Sequence, residues 1–200
     1  VKFVVIDWLT MKRIVKLIPE DMTQQSFEDF GYLWEVMATP KTHRILEPVK
    51  FQCDGKTTVS TIWQPNEGRT FCDMERHAGV TQGFVQLSGS KSIVCAATPT
   101  NKKDNVDIPD LQNIKAFFIN PKIGFAFKRG TWHSLNRYIV DGDGASFLIF
   151  NSDPNPTEMV DYSSGKGTRY DDLGSGKKVE EFQHPGEFGI VFEIIVSSLP

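Results

Sequence analysis

The chain has 200 residues, 40% hydrophobic and 12% aromatic, enough to bury one substantial core, and it reads as a single domain. A net charge of -3 and a pI near 5.8 argue against the clustered basic face that nucleic-acid binding requires. Cys53, Cys72 and Cys95 are odd in number and lack CxxC spacing, so they read as reduced thiols rather than disulfide staples. Without a run of about 18 apolar residues or the three-part pattern of a signal peptide, the expectation is a cytoplasmic protein with no membrane association.

In chain order, residues 1–10 read as an N-terminal extension ahead of Met11, although "VKFVVI" would also make a strand. In "TQQSFEDFG", Asp21 or Thr23 can cap a short helix, Phe27 and Phe30 share a face, and Gly31 is expected to stop it. Most of the remaining chain is punctuated like sheet. "TTVSTIW", "GFVQLSG", "KSIVCAAT", "IKAFFIN", "IGFAFK", "RYIV", "ASFLIF" and "FGIVFEIIV" are short β-branched or aromatic runs bounded by Gly, Pro, Asn and Asp. "RYIVDGDGASFLIF" reads as a hairpin whose DGDG insert tolerates positive φ. About eight such strands predict an all-β barrel or jelly roll. Residues 99–110 and the Gly/Ser-rich stretch 161–178 read as surface loops, the second of them mobile and part of a C-terminal extension over 152–200. "SSGKGT" and "GSGKK" fail as phosphate cradles, because neither has the P-loop spacing or leads from a strand into an apolar helix.

The chemistry concentrates in two stretches, "DMERHAGVTQGFVQLSG" and "GFAFKRGTWHSLNRY". On a strand, Glu75 and His77 point to one side and Arg76 to the other. Gly130 permits a tight turn, and His133 follows it. His43 and His184 read as structural histidines; Trp132, Phe84, Phe125 and Phe127 read first as barrel packing; Cys72 and Cys95 as small core residues; and the charge clusters at 102–110 and 177–181 as solvated faces.

Glu75 and His77 are separated by one residue, Gln82 comes after four more, Gly89 lies seven further on, and Gly130 precedes His133 with two residues between. That spacing resembles the two motifs of the cupin superfamily. Departures from the pattern are Glu75 where the usual ligand is His, Gln82 where it is Glu, and Lys128 where Pro precedes the second-motif glycine. "ERHAGVTQGFVQLSGSKSIVCAA", "IKAFFINPKIGFAFKRGTWHSLNRYIV" and the start "MKRIVKLIPEDMTQQSFEDFGYL" are similar to the ureidoglycolate lyase family, formerly called ureidoglycolate hydrolase, over about Met11 to Asn151.

The resemblance implies a cupin-type double-stranded β-helix that cleaves ureidoglycolate to glyoxylate and urea, a step of allantoin breakdown. It implies Glu75, His77 and His133 as catalytic residues, and the same three with Gln82 as ligands if a divalent metal (nickel, manganese, zinc or iron) is bound; no organic cofactor is expected. Lys91, Arg129, Trp132 and Gln82 are the candidates to contact a small carboxylate substrate, while Arg76 should point away by strand parity. A homodimer formed through strand edges is the expected assembly. A metal-dependent cupin oxygenase and a non-catalytic cupin that binds a small acid are the alternatives of other classes.

Overall fold

The computed structural model describes residues 4–7, 12–35, 43–101 and 107–196. The reading of Met11 as a start and the charges at 102–106 lie outside the described residues. In chain order the strands are β1 (Val4–Asp7), β2 (Lys12–Leu17), β3 (Glu20–Asp21), β4 (Gly31–Trp34), β5 (Lys56–Pro65), β6 (Thr70–Phe71), β7 (Asp73–His77), β8 (Gly83–Gly89) and β9 (Ser92–Ala97). They continue as β10 (Lys115–Ile119), β11 (Gly124–Phe127), β12 (Trp132–Ser134), β13 (Tyr138–Ile139), β14 (Gly144–Asp153), β15 (Thr157–Asp161), β16 (Lys166–Asp172), β17 (Lys177–Gln183) and β18 (Ile190–Ile194). One α-helical turn, α1 (Gln24–Phe27), precedes β4. The architecture is the expected all-β jelly roll of cupin type.

Three sheets stack around two cores. The first runs β1-β2-β18-β6, the second β17-β16-β15-β7-β12-β9-β10-β3 with β13 also on β9, and the third β4-β11-β8-β14-β5. Between the second and third sheets lies the barrel core, where Phe84, Phe125, Phe127 and Phe147 meet Val94, Ala96, Phe117 and Ile119. Between the second and first sheets lies another core, where Met74, Cys95, Ala97, Trp132 and Val160 meet Val15, Leu17, Phe192 and Ile194. The central strands of the second sheet are therefore covered on both faces. This is why "SIVCAA" in β9 is buried at every position and reads as a continuous apolar run instead of an alternating one.

The phenylalanines of the barrel core form a connected set of edge-to-face and offset contacts. Phe27 of α1 lies 5.3 Å from Phe117 and 5.9 Å from Phe125, ring centre to ring centre. Pairs of this kind add about 0.5–1.5 kcal/mol each beyond the area they bury, so the single helical turn works mainly as a plug for the barrel. Its cap is Thr23, which accepts from the Ser26 amide at 3.1 Å while Ser26 Oγ accepts from the Thr23 amide at 2.9 Å.

The structure overturns three sequence expectations. Gly31 does not act as a helix stop. It opens β4, and a Cβ there would come within 2.2 Å of the Ala126 carbonyl oxygen, so the residue is glycine because two strands and the Phe27 ring crowd it. "RYIVDGDGASFLIF" is not a hairpin either. β13 pairs with β9 in the second sheet, whereas β14 pairs with β5 and β8 in the third. The DGDG insert is thus a corner that carries the chain from one sheet to the other, with Gly142 at φ 75°.

Finally, residues 161–178 are not a mobile loop: β15, β16 and β17 form two consecutive hairpins. Their small polar residues sit in the tight turns, where Asp161 accepts from Ser163 and Ser164, and Asp172 accepts from the Gly174 and Ser175 amides. The C-terminal segment is likewise built into the fold, because β18 runs parallel to β2 in the first sheet. Residues 4–7, part of the expected extension, pair with β2 as β1. Among the described residues no helix is long and apolar enough to cross a membrane.

Candidate active site

Strand parity delivers the site. On β7, Met74 and Arg76 face the outer core, and Glu75 and His77 face the barrel interior. β12 lies between β7 and β9, with His133 directly opposite Glu75 on one side and Ala96 on the other. The turn that feeds β12 is pinned to the end of β7, since the Gly130 amide donates to the His77 carbonyl at 2.8 Å and Gly130 adopts φ 79°. Two neighbouring strands and one glycine turn thus bring together residues nearly 60 positions apart in the chain.

The three side chains form a tight buried group whose ligand atoms all lie within 4.8 Å of one another. Glu75 Oε1 stands 3.6 Å from His77 Nε2 and 3.8 Å from His133 Nδ1. The two imidazole rings are 5.2 Å apart, and His133 is stacked on Phe127 at 4.5 Å with 7° between planes. His133 Nδ1 contacts the Ser134 carbonyl at 3.2 Å. A carbonyl only accepts, so Nδ1 carries the hydrogen and Nε2 keeps a lone pair.

Nε2 of His77, Nε2 of His133 and Oε1 of Gln82 are all buried without a hydrogen-bond partner among the described residues. Orphaned atoms of this kind cost about 1–3 kcal/mol each. Glu75, His77 and His133, with ligand atoms within 4.8 Å of one another, are chemically suited to a divalent cation: two imidazoles and one carboxylate.

The electrostatics separate the roles. Burial pushes the Glu75 carboxyl up, but His77, His133 and the Arg137 guanidinium outweigh it and hold the pKa down at about 2. Burial pushes His133 the other way; Glu75 opposes the shift, yet His77 and Arg137 reinforce it, and the imidazole falls to about 3. At neutral pH the site therefore contains an ionised carboxylate beside an uncharged His133.

The other sequence candidates divide. Gln82, immediately before β8, is buried and joined to the barrel through its carbonyl, which accepts from the Phe127 amide at 2.9 Å. Trp132 is not in the site: as the neighbour of His133 it faces the outer core, where its Nε1 donates to Thr100 and the Arg76 guanidinium lies 4.6 Å from its ring. Lys91 is not there either, because its ammonium sits 3.7 Å over the Phe118 ring, beside a surface hollow lined by Asp21, Met22 and Asn120. Arg129 is committed to an ion pair with Asp54 at 2.7 Å. Arg76 does lie on the opposite face, as parity requires, yet it is buried and paired with Glu158. A pocket of about 200 Å³ opens there, lined by Arg76, Arg169, Glu158 and Asp171, two cations and two carboxylates, with Glu158 paired to both arginines.

Arg137 is the residue that sequence reasoning missed. It is 4% exposed, its guanidinium lies 3.9 Å over the Phe84 ring, Nη1 donates to the Leu135 carbonyl at 2.6 Å, and Nε has no partner among the described residues. Burial lowers its pKa to about 10 against the pull of Glu75, so it remains a cation. The signal was available in "WHSLNRY", which places an arginine four residues after His133 where the chain passes from β12 to β13.

Acid should destabilise this chain, measured after metal removal, earlier than ordinary surface carboxylates would allow. His133 has a folded pKa of about 3, against roughly 6.5 in an unfolded chain. The unfolded state therefore binds more protons over that window, and stability falls as pH drops from about 6.5 to about 3. Glu75, lowered to about 2, adds a loss of the same sign below about 4.3, the usual unfolded value. Urea midpoints at pH 7, 5.5 and 4 measure this; a constant midpoint across that range would contradict the burial of a neutral His133.

A family model for ureidoglycolate lyase matches residues 14–167. The chain is 29% identical over 131 residues to the ureidoglycolate lyase of Pseudomonas savastanoi pv. phaseolicola, an alignment covering 59% of this chain and 73% of the relative. It is 28% identical over 131 residues to that of Pseudomonas syringae pv. syringae, with the same coverage, and 33% identical over 64 residues to that of Escherichia coli, covering 32% and 36%. With its barrel, its buried Glu75–His77–His133 group and a family match across more than three-quarters of its length, the chain belongs to the ureidoglycolate lyase family.

Proposed function

We propose that the protein cleaves ureidoglycolate to glyoxylate and urea in the cytoplasm. The observation that carries this reading is the buried group itself: an ionised carboxylate, two imidazole Nε2 atoms without partners and a buried arginine, in a chain of this family. Ureidoglycolate is a carbinolamide, so its breakdown is a proton relocation. A base removes the hydroxyl proton, the C–O pair becomes the aldehyde C=O of glyoxylate, and the C–N bond breaks with its electrons going to nitrogen. That nitrogen then takes up one proton to leave as urea.

An imidazole lone pair at the orphaned Nε2 of His77 or His133 is suited to take the hydroxyl proton and return it to the departing nitrogen, which balances the reaction without a second proton source. Arg137 supplies the positive charge for the substrate carboxylate, the role for which Lys91 and Arg129 are poorly placed. Glu75, held ionised, favours an imidazolium that forms beside it. Glu75, His77 and His133, with Gln82, would also hold a divalent cation, nickel, manganese, zinc or iron; bound there, such an ion would supply Lewis-acid activation of the substrate hydroxyl.

The assembly we propose is a homodimer. β5 is the outer strand of the third sheet, ten residues long, and it leaves Val59, Ile62 and Trp63 exposed. An unguarded apolar edge of that length favours pairing. By contrast β17, at the edge of the second sheet, carries Lys177, Lys178, Glu180 and Glu181, which discourage it.

Continuous assay of glyoxylate release from racemic ureidoglycolate should give rates far above spontaneous decay. His133→Ala should lower kcat by about 10²–10⁴-fold, and Arg137→Lys should raise KM more than it lowers kcat. Background rates from the unaltered protein would sink the lyase reading. Elemental analysis of the purified chain should find close to one divalent ion per chain, lost in the His77→Ala variant; full retention of the ion in that variant would remove the site from these residues. Sedimentation should give a mass near twice 22.6 kDa, reduced towards one chain by Trp63→Lys, and a monomer at micromolar concentration would rule the dimer out.

A further inference from the structure

We infer that Thr157 is a positioning residue that fixes the tautomer of His77, and that the C-terminal hairpin beyond the family match holds Thr157 in place. β15 lies beside β7, with Thr157 directly opposite His77. Thr157 Oγ1 is 2.9 Å from His77 Nδ1, and the same hydroxyl is 3.0 Å from the Asn155 carbonyl oxygen. A hydroxyl has one hydrogen. If it pointed at His77, the Asn155 carbonyl and the Thr157 oxygen would face each other lone pair to lone pair at 3.0 Å, inside a buried site. Donation to Asn155 removes that repulsion, and it leaves Oγ1 as an acceptor. His77 must then carry a hydrogen on Nδ1, and its neutral ring presents a bare Nε2 on the side of Glu75, 3.6 Å away.

The carbonyl that sets this direction is itself held from further along the chain. The Asn155 carbonyl also accepts from the Leu173 amide at 3.0 Å, and the Asn155 amide donates to Asp172 Oδ1 at 3.1 Å. Asp172 and Leu173 sit at the turn between β16 and β17, past residue 167 where the family match ends. The relay therefore runs from the β16–β17 turn through Asn155 and Thr157 to His77. Ser134 does the equivalent for His133 with its own carbonyl. Both imidazoles are thereby held as the tautomer with a lone pair on Nε2, the form needed by a base or by a metal ligand.

The inference deepens the lyase reading and rests on it for kinetics, but its spectroscopic test does not. The side-chain ¹⁵N resonances of the neutral His77 ring, recorded on the full-length chain after chelation and assigned with His77→Asn, should show a protonated Nδ1 and an unprotonated Nε2. Thr157→Val should shift His77 towards the Nε2–H form, and Thr157→Ser should keep the original pattern. In the glyoxylate assay, Thr157→Val should lower kcat about 10–100-fold with KM changed far less, and Thr157→Ser should recover most of the loss. A neutral His77 protonated on Nε2 instead of Nδ1 in the unaltered chain overturns the inference, whatever the threonine variants do. So does a valine variant with the original pattern and full kcat. If the unaltered chain has no lyase activity, the reaction assignment fails, and the ¹⁵N pattern still decides the role of Thr157.

Discussion

The constraint on which the rest depends is the double burial of the second sheet. A strand covered on one face can direct its polar side chains to water. β7 and β12 are covered on both faces, so each polar residue on them must find partners inside protein. Arg76 does so on the outer face, through Glu158, Thr100 and the Trp132 ring. Removing one member of a buried pair of that kind costs about 3–5 kcal/mol, which ties β7 to β15 at the level where Thr157 meets His77. On the inner face Glu75, His77 and His133 have one another, the Arg137 charge, the Thr157 hydroxyl and the Ser134 carbonyl, and Nε2 of each imidazole is left unmatched among the described residues. The chemistry and the cost to stability thus arise from one arrangement.

That arrangement also explains how a carboxylate stays ionised so far from water. Desolvation alone would raise Glu75, as it raises the Cys95 thiol on the outer face. The two imidazoles and Arg137 reverse the sign at Glu75, and the same closeness helps keep His133 uncharged. The Phe127 ring against His133 and the Phe84 ring under Arg137 provide the low-dielectric walls that make these interactions strong. The aromatic core and the ionisable group are therefore coupled: the phenylalanines that hold the barrel together set the field in which the histidines work.

Much of this was legible in the residues. The strand runs appear as strands nearly where they were expected, because β-branched and aromatic segments bounded by turn residues can be recognised locally. Glu75, His77 and His133 were recoverable because their spacing matches a known pattern and because a two-residue period assigns faces without reference to any other strand. The errors share a cause. "RYIVDGDGASFLIF" has a good local hairpin signal, but the partners of β13 and β14 are chosen by distant strands. "DYSSGKGTRYDDLGSGKK" has loop composition because its turns dominate the count, while the strands between them are stabilised by cross-strand pairing that composition does not reveal.

The substrate-side candidates mark the boundary most clearly. An all-β chain of this family, with a carboxylate and an imidazole on one face of a strand and a second imidazole after a glycine turn, is written in the residues, since these features follow from local period, turn chemistry and motif spacing. The folded arrangement sets which buried cation acts on them. Lys91 and Arg129 are near the motifs in sequence, but one lies over Phe118 and the other is paired with Asp54, whereas Arg137 is buried over Phe84 and its charge acts on Glu75. It also decided that Thr157, 80 residues from His77, faces it across a strand pair. Sequence distance says nothing of such contacts, because sheet pairing brings remote segments within about 5 Å.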